Sequence, residues 1–261
     1  NFGYLIEKVK KKFNLTDKEL AKKIGINHKL VYHYKNNLKN ISLNVIIKLF
    51  HLLKIKNIEK RIKQVKTRYG NYLNICEGIT YELLWLVGMI ATDGNLQRTI
   101  DKRTKSEYIK IRIFNNNKNI ISKSKNILEK YIEGKVYVSK DKKGGFRVEI
   151  GSTIFGKVLN KYFSIPYNDK TSKISAPKCL FNAPIELVSG YLSGVFDGDG
   201  SYTTVKNNKY PKTINHRILF STSSKEFAKD IQNILLRMGI ISTISVDTKS
   251  KISIIRGKRI K

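Results

Sequence analysis

A chain of 261 residues with 41% hydrophobic and 27% charged residues has globular proportions and, at roughly 150 residues per domain, room for two cores. No apolar run approaches the ~18 residues that cross a bilayer and no secretory leader is visible, so a soluble chain working in the cytoplasm is expected, without a membrane partner. Against 20 acids stand 51 Lys and Arg, a net charge of +31, which repels itself unless a polyanion is the normal partner. Nucleic acid is the first reading of that charge, an anionic membrane surface or a ribosomal setting the alternatives. The excess of Lys over Arg and the many Ile and Asn also suit AT-rich coding, but such a bias does not remove acids. Cys76 and Cys179 lie far apart without a CxxC, so neither a disulfide framework nor a structural zinc site is indicated, and both are expected as core thiols.

Residues 1–66 read as short amphipathic helices whose apolar stripe is Ile24, Ile26, Leu30, Val31, Leu43, Ile46, Ile47, Leu49 and Phe50. Thr16 with Glu19 forms a capping box, in which hydroxyl and carboxylate satisfy the amides that open a helix. In DKELAKKIGINHKLVYHYKN (17–36), Ala21, Gly25 and Val31 supply a small residue where helices cross, a glycine in the turn and a β-branched anchor. Ser42 caps a further helix. Across about residues 3–55 this resembles the phage-repressor type of helix-turn-helix. The resemblance implies that Asn27, His28, Lys29, Tyr32, His33 and Lys35 lie on the recognition helix and reach base edges and phosphates. An ordinary helical hairpin with a solvated basic face is the alternative.

Beyond a linker at 67–80, which includes Arg68-Tyr69-Gly70-Asn71, the pattern changes. An apolar helix from Tyr81 to Thr92 is followed by a strand at 107–114, a helix near 117–130, strands at 135–139 and 145–150 and a helix near 152–162. The order then restarts: helix 185–196, strands 201–206 and 216–221, helix 224–238, strands near 241–247 and 252–256. This is an α+β body made of a duplicated α-β-β-α-β-β unit, with halves at 81–182 and 183–261 and a pseudo-two-fold relation between them. Only 62 residues follow Asp199, so the second half is expected to be C-terminally incomplete, and with no initiator Met the chain reads as a piece of something longer.

Each half opens on a similar nonapeptide, LVGMIATDG (86–94) and LSGVFDGDG (192–200). Gly88 and Gly194 would let two helices pack backbone to backbone, and Gly94 and Gly200 suit the left-handed residue that ends a helix. Asp93 and Asp199 sit at helix C-termini, where the macrodipole disfavours a carboxylate, and a shared cation removes that objection.

The two nonapeptides resemble the paired motifs of the LAGLIDADG (DOD-type) homing endonucleases, over about residues 72–261. The resemblance implies that the motif helices form the seam between half-domains and that two sheets make a basic antiparallel saddle over a long, nearly palindromic site in double-stranded DNA. It also implies that Asp93 and Asp199 hold Mg²⁺ or another divalent cation in a monomer. The first motif departs from the second with Ala91 for Asp197 and Thr92 for Gly198. Family members also place a lysine at the edge of each active site. In NDKTSKISAP (168–177) Lys173 is the first candidate and Lys170 the second, and a surface charge is the alternative for each.

Alternation in 107–114 puts Ile109, Ile111 and Ile113 on one face and Tyr108, Lys110 and Arg112 on the other. Lys135, Tyr137 and Arg147, and in the second half Tyr202, Thr204, Lys206 and Arg217, are similar DNA-facing candidates, though each position also suits a solvated strand face. The function implied is a metal-dependent, site-specific double-strand DNA endonuclease, hydrolysing phosphodiesters from within an intein or as an intron-encoded protein. A non-cleaving binder on the same fold, an intron RNA maturase or a transcription regulator, is the alternative. No splicing-end signature, such as a leading Cys or a terminal His-Asn, is present, and no HNH- or HExxH-like cluster appears.

Overall fold

The computed structural model describes residues 2–67, 70–75, 78–140, 144–206, 214–246, 253–255 and 258–260. Cys76, Arg68 and Tyr69, and residues 247, 252 and 256 at the edges of the last two expected strands, lie outside the described residues. The chain forms two compact units, Asn1–Val65 with Asn74–Cys76, and Lys66–Leu73 with Glu77–Lys261.

The first unit is helical: α1 (Phe2–Phe13), α2 (Asp17–Ile24), α3 (His28–Lys35) and α4 (Leu43–Leu52), followed by the short strand β1 (Gln64–Val65). The expected capping box is formed, with the Glu19 amide donating to Thr16 Oγ1 at 3.3 Å and the Thr16 amide donating to the Glu19 carboxylate at 2.7 Å. Gly25 closes α2 in the left-handed conformation (φ 71°, ψ 47°), which a Cβ would strain, and so sets the turn into α3. Asn27 caps α3 and Ser42 caps α4 through their side chains. Ile6, Val9, Leu20, Ala21, Ile24, Val31 and Leu49 close the core between the helices, while Leu43 of the expected stripe is exposed.

After β2 (Tyr72–Asn74) the second unit continues through α5 (Tyr81–Thr92), β3 (Gly94–Ile100), β4 (Glu107–Asn115), α6 (Lys118–Tyr131), β5 (Ile132–Glu133), β6 (Tyr137–Lys140), β7 (Phe146–Gly151) and α7 (Thr153–Phe163). The order then restarts with α8 (Ile185–Asp199), β8 (Gly200–Lys206), β9 (Ile214–Phe220) and α9 (Lys225–Arg237), and ends with β10 (Ser253–Ile255) and β11 (Lys258–Ile260). In the first half the strands form an antiparallel sheet in the order β3-β4-β7-β6, against which α6 and α7 pack. Ile109, Ile111, Ile113, Val148 and Ile150 are fully buried on the helix side of that sheet. The alternation that assigned β4 its two faces therefore holds.

The second half is built differently. Among the described residues β8 and β9 pair only with each other, β10 and β11 likewise, and residues 241–246 carry no strand where one was expected. The hairpin leaves Ile218 at 73% and Leu219 at 46% exposed. Cys179 is also placed otherwise than expected: it lies exposed in a short 3-10 turn, Lys178–Phe181, because that turn buries Leu180 instead. No helix among the described residues is long and apolar enough to cross a membrane.

Candidate functional site

α5 and α8 make the most extensive contact between any two elements of the described residues. Two glycines permit it. A Cβ on Gly88 would stand 2.3 Å from the Tyr191 carbonyl oxygen, and one on Gly194 would stand 2.0 Å from that of Trp85, so each helix backbone occupies the space a side chain would need. The contact is apolar at its centre, with Trp85, Leu86, Val87, Met89, Ile90, Tyr191 and Val195 buried. It is pinned by the Trp85 indole, which donates to Asp197 at 2.7 Å, while the Lys123 ammonium lies 3.8 Å over the same ring. Asp197 thus ties the second motif helix to the first. Its counterpart Ala91 has no polar group to reciprocate.

Gly94 and Gly200 do not take the left-handed conformation expected of them. Gly200 is extended (φ −79°, ψ 152°), and Gly94 is not among the residues with positive φ. Each is required for space instead, since the chain turns from helix straight into strand and folds back on the last helical turn. A Cβ at position 94 would lie 2.6 Å from the Ile90 Cα, and one at position 200 would lie 2.4 Å from the Phe196 carbonyl oxygen.

This geometry brings Asp93 and Asp199 to the same end of the helix pair. A Cβ built on Gly198, next to Asp199, would stand 3.6 Å from the Asp93 carboxyl carbon. Asn115, at the end of β4, donates its side-chain amide to Asp93 at 2.7 Å, and the Phe114 amide bonds the Asp93 carbonyl at 3.0 Å. Asp199 is more exposed, and among the described residues its carboxylate accepts no hydrogen bond. Burial raises the pKa of both acids. The charge of Asp93 raises that of Asp199 further, whereas the Asn115 hydrogen bond works the other way on Asp93.

Lys170 enters this end from the segment between α7 and α8. Its ammonium donates to the carbonyl oxygens of Ile90 at 3.0 Å and Ala91 at 2.9 Å, and also to that of Thr92. It therefore compensates the negative end of α5 and lies within Coulombic reach of both acids. Its desolvation outweighs their attraction and brings its pKa down to about 8. Lys173, the first candidate by sequence, is exposed, and its backbone amide bonds the Lys170 carbonyl in a tight turn. That turn carries residue 173 outward and leaves residue 170 inward, against the end of α5.

The strand candidates divide. Across the first sheet Arg112 stands opposite Glu149, Lys110 opposite Gly151, Phe114 opposite Arg147 and Tyr137 opposite Glu149, so all share the face turned away from α6 and α7. Lys135 precedes β6, its ammonium 5.3 Å from the Tyr137 ring centre. In the second half Arg217 pairs with Thr203, whereas Tyr202 pairs with Ile218 and Thr204 with His216. Arg217 is therefore on one face and Tyr202 and Thr204 on the other. Phe220, which meets Gly200 in the register and packs on Phe196 and Phe227, belongs to the face of Tyr202. One shared DNA-facing set in that half is excluded by the period of two. Lys206 pairs with Ile214 at the far end of the hairpin.

In the first unit His28, Lys29, Tyr32, His33 and Lys35 lie on α3, and Asn27 is its cap. His28, Lys29 and Tyr32 are exposed, His33 is half-buried, and Lys35 is held by Glu7 at 2.7 Å. Sequence reasoning missed Asn115, Glu149 and the pair Trp85–Asp197. Asn115 carries no signal beyond a polar residue ending an apolar-alternating strand, since its partner is fixed by the strand register.

Residues 186–261 match the LAGLIDADG-like domain family and residues 6–58 the helix-turn-helix family. Glutamine--fructose-6-phosphate aminotransferase [isomerizing] of Methanocaldococcus jannaschii is 29% identical over 258 residues, 92% of this chain and 20% of that protein. A probable translation initiation factor IF-2 of Thermococcus kodakarensis is 35% identical over 94 residues, 36% of this chain and 7% of that protein. A DNA polymerase of Thermococcus litoralis is 25% identical over 163 residues, 62% of this chain and 9% of its own length. The chain thus spans a fifth or less of these relatives. Among solved structures, I-DmoI in complex with DNA and Mn is 12% identical with a TM-score of 0.45, covering 66% of this chain and 85% of that one. The resemblance carried by the second nonapeptide (192–200) agrees with the first of these matches and that carried by the Thr16-to-Val31 pattern with the second, and in chain order a LAGLIDADG-like domain follows a helix-turn-helix domain.

Proposed function

We propose that this chain is a site-specific DNA endonuclease of the homing type, requiring a divalent cation and cutting both strands of a long double-stranded site. The observation that carries the reading is the pair Asp93 and Asp199, delivered by two glycine-packed helices to one shared end. The donor set fits a hard cation. Two carboxylates, both made more basic by burial, offer oxygen ligands where added positive charge relieves their repulsion. No cluster of three or more His, Cys, Asp or Glu suited to a metal occurs among the described residues. A pair of carboxylates suits Mg²⁺, which retains waters and takes phosphate oxygens rather than a closed protein cage.

Asp93 and Asp199 would hold the ion, which when bound supplies charge against the scissile phosphates and acidifies water. The chain does the rest. Asn115 fixes the orientation of the Asp93 carboxylate, and Lys170 offsets negative charge growing beside α5. Lys110, Arg112 and Arg147 on the open face of the first sheet, and Arg217 in the second half, meet the phosphates and base edges. The helix-turn-helix adds affinity and register through His28, Lys29 and Tyr32.

The relatives support a second part of the reading, that the endonuclease travels inside host proteins as an intein. An aminotransferase, an initiation factor and a DNA polymerase share no chemistry, and each matches this chain over a minor part of its length. A mobile insert leaves that pattern. The matched segment is then a passenger in each host.

The test is incubation of the chain with a randomised duplex library and Mg²⁺ or Mn²⁺, sequencing what is cut, with a chelator as control. Asp93→Asn and Asp199→Asn are each expected to reduce double-strand cutting to background while retaining or tightening DNA binding, since a carboxylate without a cation repels phosphate. Full cutting by either variant would remove the catalytic assignment.

A further inference from the structure

The open face of the first sheet carries an acid where a surface built only to collect phosphates would carry none. Glu149 on β7 stands directly opposite Arg112 on β4. Its carboxylate accepts from Arg112 Nε at 2.5 Å and from Lys110 Nζ at 2.9 Å. The three side chains are not loose: Lys110 is 36% exposed, Arg112 21% and Glu149 16%. Burial opposes ionisation of Glu149, but the bonds from Lys110 and Arg112 outweigh it and hold the carboxyl below its usual value.

We infer that Glu149 is a specificity-determining residue: it holds Arg112 and Lys110 in one fixed arrangement on the sheet, so that they read base edges instead of gathering phosphates. This rests on the proposal that the face meets DNA. A guanidinium bonded through Nε keeps both terminal nitrogens free in a planar fork, which is the geometry that matches the N7 and O6 of guanine. An untethered arginine swings to the nearest phosphate, because that attraction is long-ranged and indifferent to sequence. Glu149 also repels phosphate by its own charge, so backbone close to β7 is disfavoured and the groove edge is left to Arg112 and Lys110. In a chain of net charge +31, one acid set between two cations on this face trades affinity for discrimination.

The experiment selects bound sequences from a randomised duplex library, using the full chain with Ca²⁺, and compares the wild type with Glu149→Gln. A salt titration of each on its best site and on unrelated DNA accompanies it. Glu149→Gln preserves shape and removes the charge. It is expected to bind unrelated DNA more tightly with a steeper salt dependence, while preference at the one or two base pairs under β4 falls about tenfold. The charge-swapped chain with Arg112→Glu and Glu149→Arg keeps the bridge, and therefore the fold, and is expected to select a different base there. A site selected equally by the wild type, Glu149→Gln and the swapped chain would overturn the inference and leave DNA binding standing. No sequence enriched by the wild type would remove the DNA-binding reading and this inference together.

Discussion

The two halves of the second unit open on the same motif and yet support their acids differently. In the first half a four-stranded sheet packed by α6 and α7 stands behind Asp93, and Asn115 from that sheet grips the carboxylate. In the second half a two-stranded hairpin stands behind Asp199, and among the described residues nothing grips it. The difference separates two tasks that the duplicated motif merges in sequence. The helix seam delivers both acids to one place, whereas the sheet orients only the first.

The most severe way to break the comparison is to attack the seam that both halves share. Gly88→Ala and Gly194→Ala each drive a methyl into the partner's backbone, which cannot rotate away as a side chain would. Each is expected to destabilise the second unit by about 3 kcal/mol or more, at or beyond the upper end of ordinary overpacking. Thermal or urea unfolding measures it. Similar losses in the two variants would show that the seam is symmetric in cost, and a small loss in either would show that the backbones do not meet as described.

Lys170 gives the next effect, because it arrives from the first half and caps only α5. Lys170→Met is expected to slow cleavage about a hundredfold, while Lys173→Met is expected to leave it unchanged. The same variant carries a pH signature. Between about 8 and 10.5 the unfolded chain retains the Lys170 proton and the folded chain has released it, so stability from this group rises with pH across that window. The rise amounts to about 3 kcal/mol at most. Subtracting the Lys170→Met unfolding curve from that of the wild type should isolate it, and identical pH dependence in the two chains would contradict the buried position of the amine.

How far the sequence carried these features depends on the range of the interaction behind each. The capping box of Thr16 and Glu19, the left-handed Gly25 and the caps Asn27 and Ser42 are legible because their partners lie within a few residues. The seam glycines are legible for another reason: two copies of one pattern name each other as partners. Gly94 and Gly200 depart from the expected left-handed conformation because a glycine after a helix fits two causes, and only the path of the folded backbone distinguishes lack of space from positive φ. Asn115 and Glu149 were missed since strand register sets their partners, and the choice between Lys170 and Lys173 turned on one tight turn. Cys179 failed as a core residue because a short turn puts Leu180 inside in its stead.

The finest test addresses the sheet's hold on one acid. The register pairs Gly94 with Ile113 and Gly200 with Phe220, so the position two residues on is Asn115 in the first half and Thr222 in the second. The Thr222 hydroxyl accepts from the Ser224 amide at 3.2 Å and caps the approach to α9, leaving Asp199 without the counterpart of Asn115. Asn115→Ala removes a hydrogen bond that favours the ionised form of Asp93, so its pKa should climb further under the burial that already raises it. The cation concentration needed for half-maximal cutting is then expected to rise about tenfold, at the low end for residues that orient a ligand, and the pH profile of cutting should move upward. Thr222→Ala should change neither quantity. Because the loss falls on one acid, nicked plasmid should accumulate ahead of linear product with Asn115→Ala. Thr222→Asn, which offers Asp199 the missing amide, should lower the cation requirement below that of the wild type. Equal behaviour of Asn115→Ala and Thr222→Ala in the nicking assay would mean that the sheets orient neither acid, and that the seam alone prepares both.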